Sequence, residues 1–345
     1  MRSRSELAGS SFIGLGVFCL VAAAMLPTYA AHRIAKTPLN LDITIVATTA
    51  AAGNSGAEVL DMASLRGDGP LRVLRDVPLI SQQHALVVDP SDATVLTIQA
   101  ASTVRRGDIE GDTALLTATV DTVTIDRRTG QPAAGGTGAI QSRAGVPAEV
   151  VPHTGLQYRF PLGTKKISYP YFDTISRTST PIDYIDETTI DGVWVLHFRQ
   201  RVAPVDLAAS TPPTSPAMTL PARKWGIADA DEPITMHEWY TCESDLWVEP
   251  ATGAIVQGRQ SPRIYFARQA DEPGISVMKA TLALTADSVA QQLHEARKGI
   301  TLLEVGFRVV PIVLLVTAVA SAAAGAFLLR RSRIRAFASG PAAKN

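Results

Sequence analysis

His197, His237 and several groups of carboxylates are the side chains of this 345-residue chain whose types could do chemistry. His197 alternates with Arg199 in a strand-like run, and His237 adjoins Glu238. Asp183, Asp186 and Glu187 crowd one short stretch, and Asp229, Asp231 and Glu232 another. A histidine with a carboxylate neighbour is the pairing general acid–base catalysis needs, so an enzyme would draw first on Asp173, Asp183, His197 and His237. Clustered carboxylates are hard oxygen ligands of the kind calcium takes. None of these sets has the spacing such chemistry demands. There is no Gly-x-Ser-x-Gly elbow, no phosphate-cradling glycine loop, no His-Glu-x-x-His and no Cys-x-x-Cys. Acidic turns account for the carboxylates and solvated strand positions for the histidines. The expectation is no catalytic residue, no metal ligand, no cofactor, and no enzyme.

The aromatic residues are distributed more informatively than the titratable ones. Residues 32–157 contain no Phe, Trp or Tyr, whereas residues 158–266 hold fourteen of the chain's twenty. The earlier stretch has only Val, Leu, Ile and Ala for a thin core. The later one can build a thicker core or line an apolar groove. The candidate ligand-binding set is Tyr158, Phe160, Tyr171, Phe172, Trp194 and Phe198, offered to a lipid or another apolar ligand, with core packing as the competing reading.

The chain is formally neutral, but residues 32–308 carry 25 Lys and Arg against 31 Asp and Glu, a net charge of −6. Basic residues come in pairs such as Arg105 with Arg106 or Lys165 with Lys166, close to carboxylates, so nucleic acid is excluded as a partner. Of the two cysteines, Cys19 lies in an apolar run and Cys242 far from it, which argues against an intrachain bridge. The domain must be held by its core.

The elements that position these residues are mostly strands. Leu41, Ile43 and Ile45 alternate with Asp42 and Thr44, and residues 112–125 repeat the pattern. That stretch ends in Asp126-Arg127-Arg128-Thr129-Gly130, an acid-x-x-Thr-Gly hairpin turn. A second copy, Glu249-Pro250-Ala251-Thr252-Gly253, follows about 123 residues later, which raises an internal duplication as one reading. Residues 189–201 read as one strand, with Trp194, Leu196 and Phe198 on a buried face and Val193, Val195, His197 and Arg199 on the other. Residues 275–283 read as a last strand. Residues 287–298 read as an amphipathic helix with Asp287 as N-cap, and residues 131–155 and 203–222 as Gly- and Pro-rich loops.

Two uncharged apolar runs, 11–31 and 309–329, flank all of this. The second rises ~31 Å as a helix, enough to cross a hydrocarbon core. Arg2 and Arg4 precede the first run, and Arg330, Arg331, Arg333 and Arg335 follow the second, so the positive-inside rule places both termini in the cytoplasm. The first run also fits a signal peptide cleaved after Ala30. The resulting plan is a cytoplasmic N-terminus (1–10), a transmembrane helix (11–31), an extracytoplasmic β-rich domain (32–308), a second transmembrane helix (309–329) and a cytoplasmic basic tail (330–345). The fold class is α+β, a mainly β ectodomain with hairpins and a C-terminal helix between two transmembrane helices.

Several of these segments together resemble a known family. They are Asp126-Arg127-Arg128-Thr129-Gly130, the run Gly155-Leu156-Gln157-Tyr158-Arg159-Phe160-Pro161-Leu162-Gly163-Thr164-Lys165-Lys166, Tyr169-Pro170-Tyr171-Phe172-Asp173, Asp191-Gly192-Val193-Trp194-Val195 and Trp247-Val248-Glu249-Pro250-Ala251-Thr252-Gly253. They are similar to the actinobacterial two-span envelope proteins catalogued as the porin PorA family, over nearly the whole chain. Glu249 stands where that family more often has Asp. The resemblance implies a retained first span and a cell-membrane location. It implies no catalytic residue. The topology favours a binding or envelope-organising protein with a lipid, glycolipid or envelope-protein partner. The alternative is a subunit of an oligomeric porin-like channel, assembled as a homo-oligomer through small-residue spacing at Ser10 with Gly14 and Ser321 with Gly325.

Overall fold

The computed structural model describes residues 4–33, 35–50, 55–134, 138–211, 217–227 and 231–338. It forms two units: Met1–Lys36 with Lys298–Asn345, which is helical, and Thr37–Arg297, which is mainly antiparallel sheet. Helix α1 (Arg4–Arg33) opens the chain. The sheet unit begins with β1 (Asp42–Thr48), β2 (Glu58–Leu60), β3 (Val73–Arg75), β4 (Leu79–Val88), β5 (Val95–Arg106), β6 (Leu115–Asp126), β7 (Ala139–Gln141) and β8 (Glu149–Val150). It continues with β9 (Tyr169–Asp173), β10 (Thr178–Ile190), β11 (Val193–Asp206), the short helix α2 (Leu207–Ser210), β12 (Met218–Pro221), β13 (Pro233–Glu249), β14 (Ala254–Ala267), β15 (Ile275–Lys279) and β16 (Leu282–Leu284). Helix α3 (Ala286–Glu304), a π-helical turn (Val305–Val309) and α4 (Val310–Ala338) follow.

The strands fall into two halves with one plan. The first half runs β7-β6-β5-β4-β1 across the sheet and the second β14-β13-β11-β10-β9. Each is five antiparallel strands in sequence order, with β2 and β3 inserted in the first and β12 in the second. The three residues of β16 join the halves, pairing with β1 through Ala47↔Leu284 and with β14 through Arg259↔Ala283. At the far ends the chain beyond β8 lies parallel to β9: Leu156 N donates to Pro170 O at 2.7 Å and Phe172 N to Leu156 O at 2.8 Å. The ribbon thereby closes on itself, which leaves few unpaired edge groups.

The two acid-x-x-Thr-Gly turns superimpose in their bonding. Asp126 Oδ1 accepts from the amides of Arg128 and Thr129 and from the Thr129 hydroxyl. Glu249 accepts from the amides of Ala251 and Thr252 and from the Thr252 hydroxyl. Gly130 (φ 70°) and Gly253 (φ 71°) supply the left-handed residue that closes each bulged turn. The chain from Phe160 to Thr164 then packs on the second turn, with Phe160 N donating to Gly253 O at 2.9 Å.

Register makes the cores comparable position by position. Leu96, Ile98 and Ala100 face Ile125, Val123 and Asp121 in the first half, as Leu196, Phe198 and Gln200 face Val248, Leu246 and Ser244 in the second. The first core is thin and aliphatic, built on Leu96, Ile98, Ala100, Val123 and Ile125, and is completed by Tyr158 from the crossing segment. The second is aromatic, with Phe160 and Phe198 fully buried.

Several elements differ from the sequence expectation. Residues 189–201 contain a hairpin turn at Asp191 (φ 46°) and Gly192 (φ 79°), so β10 ends and β11 begins inside the expected strand. β11 is buried on both faces: Val193, Val195 and His197 are as covered as Leu196 and Phe198, while Trp194 is 48% exposed. Alternation identifies a strand but does not tell how many of its faces are covered. The expected loops also carry structure: β7 and β8 lie within 131–155, and β11, α2 and β12 occupy most of 203–222, whose residues 212–216 lie outside the described residues. The expected strand over 275–283 is two strands, because β15 pairs with β14 and β2 whereas β16 turns to β1. Thr285, not Asp287, caps α3: its hydroxyl accepts from Ser288 N, and Asp287 sits in the first turn.

In the helical unit, α1 and α4 pack through small residues. A Cβ on Gly16 would lie 3.0 Å from Ala318 O, and one on Gly325 would lie 2.8 Å from Gly9 O. Gly9 and Gly16 on α1, and Ala318 and Gly325 on α4, recur at heptad spacing and are buried. Ser321 and Gly325 are thus used within the chain, and Gly14 has open space beside it. Both helices are long and apolar enough to cross a membrane.

Candidate functional site

The six aromatic candidates are packed rather than arrayed along a groove, Trp194 excepted. Phe160 and Phe198 meet with ring centroids 4.8 Å apart, and Tyr171 stacks on Phe160 at 5.9 Å while its hydroxyl donates to Gln157 O. Phe172 is buried with Ile140 and Val151, 4.2 Å from the His153 ring. Tyr158 reaches into the first half and donates to Asp121. Large apolar rings bury about 1.5–3 kcal/mol of transfer free energy each, which draws them inward wherever a core has room. Trp194 remains at the surface, with Lys166 Nζ 5.6 Å from its ring centre.

One buried polar cluster of the domain centres on Asp121 and another on Asp173. His153 Nδ1 is 2.7 Å from Val151 O, and its Nε2 is 2.8 Å from Asp121 Oδ1. The carbonyl can only accept, so Nδ1 carries a proton and Nε2 shares one with Asp121. Gln157 Nε2 and the Tyr158 hydroxyl donate to Asp121 Oδ2, and burial pushes the Tyr158 phenol well above its usual range. A Cβ on Gly138 would fall 1.7 Å from His153 Nδ1, so glycine is required there. Asp173 forms the second group. Its Oδ1 accepts from Ile175 N and Ser176 N, and its Oδ2 from the Tyr240 hydroxyl at 2.8 Å. Burial holds its carboxyl above the ordinary value despite these donors. Burial also lifts the neighbouring Cys242 thiol to about 11, so it is not a thiolate at neutral pH.

The expected solvated role of His197 is corrected. It is buried between Asp245 Oδ1 (2.7 Å from Nε2) and Asp186 Oδ1 (3.2 Å from Nδ1), and its ring lies parallel to Trp247 at 4.6 Å. Asp245 also accepts from Arg199 at 2.8 Å and Arg259 at 3.2 Å. Burial pushes its carboxyl up, but the hydrogen bonds from Arg199, His197 and Arg259 outweigh that and hold it below the ordinary range. His237 is partly exposed and bonds Asp206 at 2.7 Å. The acidic clusters are dispersed among separate partners: Asp183 takes the Ser168 hydroxyl, Glu187 pairs with Lys166 and Asp231 with Arg223. Asp229 lies outside the described residues.

This charged row leads into an open groove of about 510 Å³. Its floor is apolar, with Val202, Cys242 and Ala280 belonging to the core beneath, and its rim carries Arg201, Arg263 and Lys279 with the hydroxyls of Thr241, Ser261 and Thr281. Arg201 is paired with Glu243 at 2.8 Å. Arg263 and Lys279 are direct opposites in the β14–β15 register, a like-charge pair that a strand pairing ordinarily avoids. The Arg263 guanidinium lies 4.3 Å from the Tyr265 ring centre, and Lys279 faces Glu58, which also faces Arg75. Among the described residues neither Arg263 nor Lys279 has an ion pair. Sequence reasoning missed this site because its parts come from β11, β13, β14 and β15, and only register brings them together.

The chain is similar to known proteins over most of its length. A protein described as Porin PorA from Corynebacterium resistens is 28% identical, with 90% of this chain and 93% of that one covered. Another of the same description from Corynebacterium amycolatum is 25% identical, over 89% of this chain and 94% of the other. The family pattern described as Porin PorA matches residues 8–327, which take in most of both apolar helices and the whole β-domain between them, and the chain belongs to the Porin PorA family.

Proposed function

We propose that this protein is a non-enzymatic, membrane-tethered component of the cell envelope whose β-domain binds an anionic lipid or glycolipid headgroup in the groove between β11 and β15. Both termini lie in the cytoplasm and the β-domain outside, as the arginines flanking the apolar helices favour. The observation that carries the reading is the Arg263–Lys279 pair. Two cations opposed across a strand pair repel each other, and an anion bridging them removes that cost. The surrounding hydroxyls would serve a sugar or phosphate oxygen, and the apolar floor a short length of chain or ring carbon. Native mass spectrometry of full-length protein, extracted in mild detergent, is the test. A defined anionic lipid is expected on the wild type and at least tenfold lower occupancy on Arg263→Glu/Lys279→Glu. Equal occupancy, or no lipid on either, overturns the reading.

A second reading, an oligomeric porin-like channel, is favoured by the family and by the description its relatives carry. Two helices from one chain enclose no aqueous path, so a pore would need several copies. The α1–α4 contact already uses Gly9, Gly16 and Gly325, leaving Gly14 for any contact between copies. Single-channel conductance from a purified oligomer in planar bilayers would establish it, and a silent monomer would remove it.

A further inference from the structure

We propose that the Trp194–Lys166 face of the β10–β11 hairpin rests in the headgroup layer of the bilayer that anchors the chain. Trp194 is 48% exposed, although it continues the row of Leu196 and Phe198 that is otherwise buried. Around it the surface is amphipathic. Lys166 Nζ lies 5.6 Å from the Trp194 ring centre and 5.8 Å from that of Tyr184, and Ile167, next to Lys166 in the chain, is 52% exposed. Tryptophan, tyrosine, lysine and aliphatic side chains together are the chemistry that settles at a membrane interface, with rings at headgroup depth and ammonium groups reaching to water.

Chain connectivity supplies the occupant. Arg297 of α3 donates to Asp191 O at the tip of this hairpin. About a dozen residues then separate Arg297 from Val309, the start of the second apolar run. That stretch reaches ~18 Å as helix and about 40 Å fully extended, so the hairpin is held within that distance of the bilayer in any conformation. Lys166 is paired with Glu187 at 2.5 Å, so the contact carries little net charge. It is therefore insensitive to salt, unlike headgroup binding in the basic groove.

All four tryptophans lie in the β-domain and none in either apolar run, so fluorescence quenching by brominated lipid reads only this domain's contact with the bilayer. Full-length protein would be reconstituted in vesicles of plain or brominated phosphatidylcholine. The wild type is expected to lose part of its emission in brominated vesicles, equally at low salt and in molar salt, and Trp194→Phe is expected to lose that quenching. Equal emission in both vesicles, quenching that persists in Trp194→Phe, or quenching abolished by salt would each overturn the proposal. Because the vesicles contain no anionic lipid, the outcome does not depend on the groove reading.

Discussion

The two halves of the β-domain share strand order, register and turn, and differ in what fills them. Where the first half places Ile98 and Val87, the second places Phe198 and Tyr184. The opposite face differs as well. Thr97 and Thr124 join hydroxyls at 2.9 Å in the first half, and at the matching register His197 stacks on Trp247 in the second. Gln99 faces Thr122 where Arg199 faces Asp245. One backbone plan therefore tolerates an uncharged aliphatic filling and an aromatic, charged one, because backbone pairing and turn chemistry set the plan while side chains set thickness and electrostatics.

The comparison breaks most sharply in the cores. Phe198→Ala should cost about 3–5 kcal/mol, and Ile98→Val at the matching site about 0.5–1.5 kcal/mol, read as shifts in the denaturation midpoint of full-length protein. Equal shifts would mean the aromatic half is not the thicker core. The turns come next. A Cβ on Gly253 would fall 2.1 Å from Phe160 O, whereas one on Gly130 would lie 3.0 Å from Arg159 O. Gly130→Ala should cost about 1–3 kcal/mol from its left-handed backbone, and Gly253→Ala should exceed it because backbone must also move. A smaller cost at Gly253 would show that the two turns are not packed as described.

The charged row offers the most specific test. Asp245 has its carboxyl depressed below 3.8 in the folded state, so the stability it contributes is complete above that value and is lost as pH falls through the folded value. Asp245→Asn should therefore lower stability by about 1.5 kcal/mol at neutral pH, and the difference from the wild type should shrink only as pH falls through the depressed folded-state value of that carboxyl. Thr122→Val, at the matching position in the first half, should show no such pH dependence. A constant offset for Asp245→Asn across the range would assign its effect to packing instead of charge.

Much of the scaffold could be read locally. The Asp126–Gly130 and Glu249–Gly253 turns, the amphipathic segment ending in Leu293 and Ala296, and the two apolar helices all depend on residues within a few positions of one another. The contrast between a thin half and an aromatic half was equally visible, since composition alone bounds what a core can contain. The Asp191–Gly192 turn had its signal in an Asp-Gly pair, but continuous alternation on both sides concealed it. The candidate site was not legible. Arg201, Arg263 and Lys279 are widely separated in the chain, and each reads alone as an ordinary exposed strand residue.

Strands such as β1 and β6, the paired turns, the apolar helices and the uneven supply of aromatic rings follow from side-chain period, turn geometry and composition. The two-sided covering of β11, the closure of the sheet by β16 and Leu156, and the opposition of Arg263 and Lys279 above an apolar floor come from contacts between distant parts of the chain. Those outcomes rest on which strands become neighbours and in what register. Register is settled by the free energy of burying many distant residues together, and no short segment of the chain carries that information.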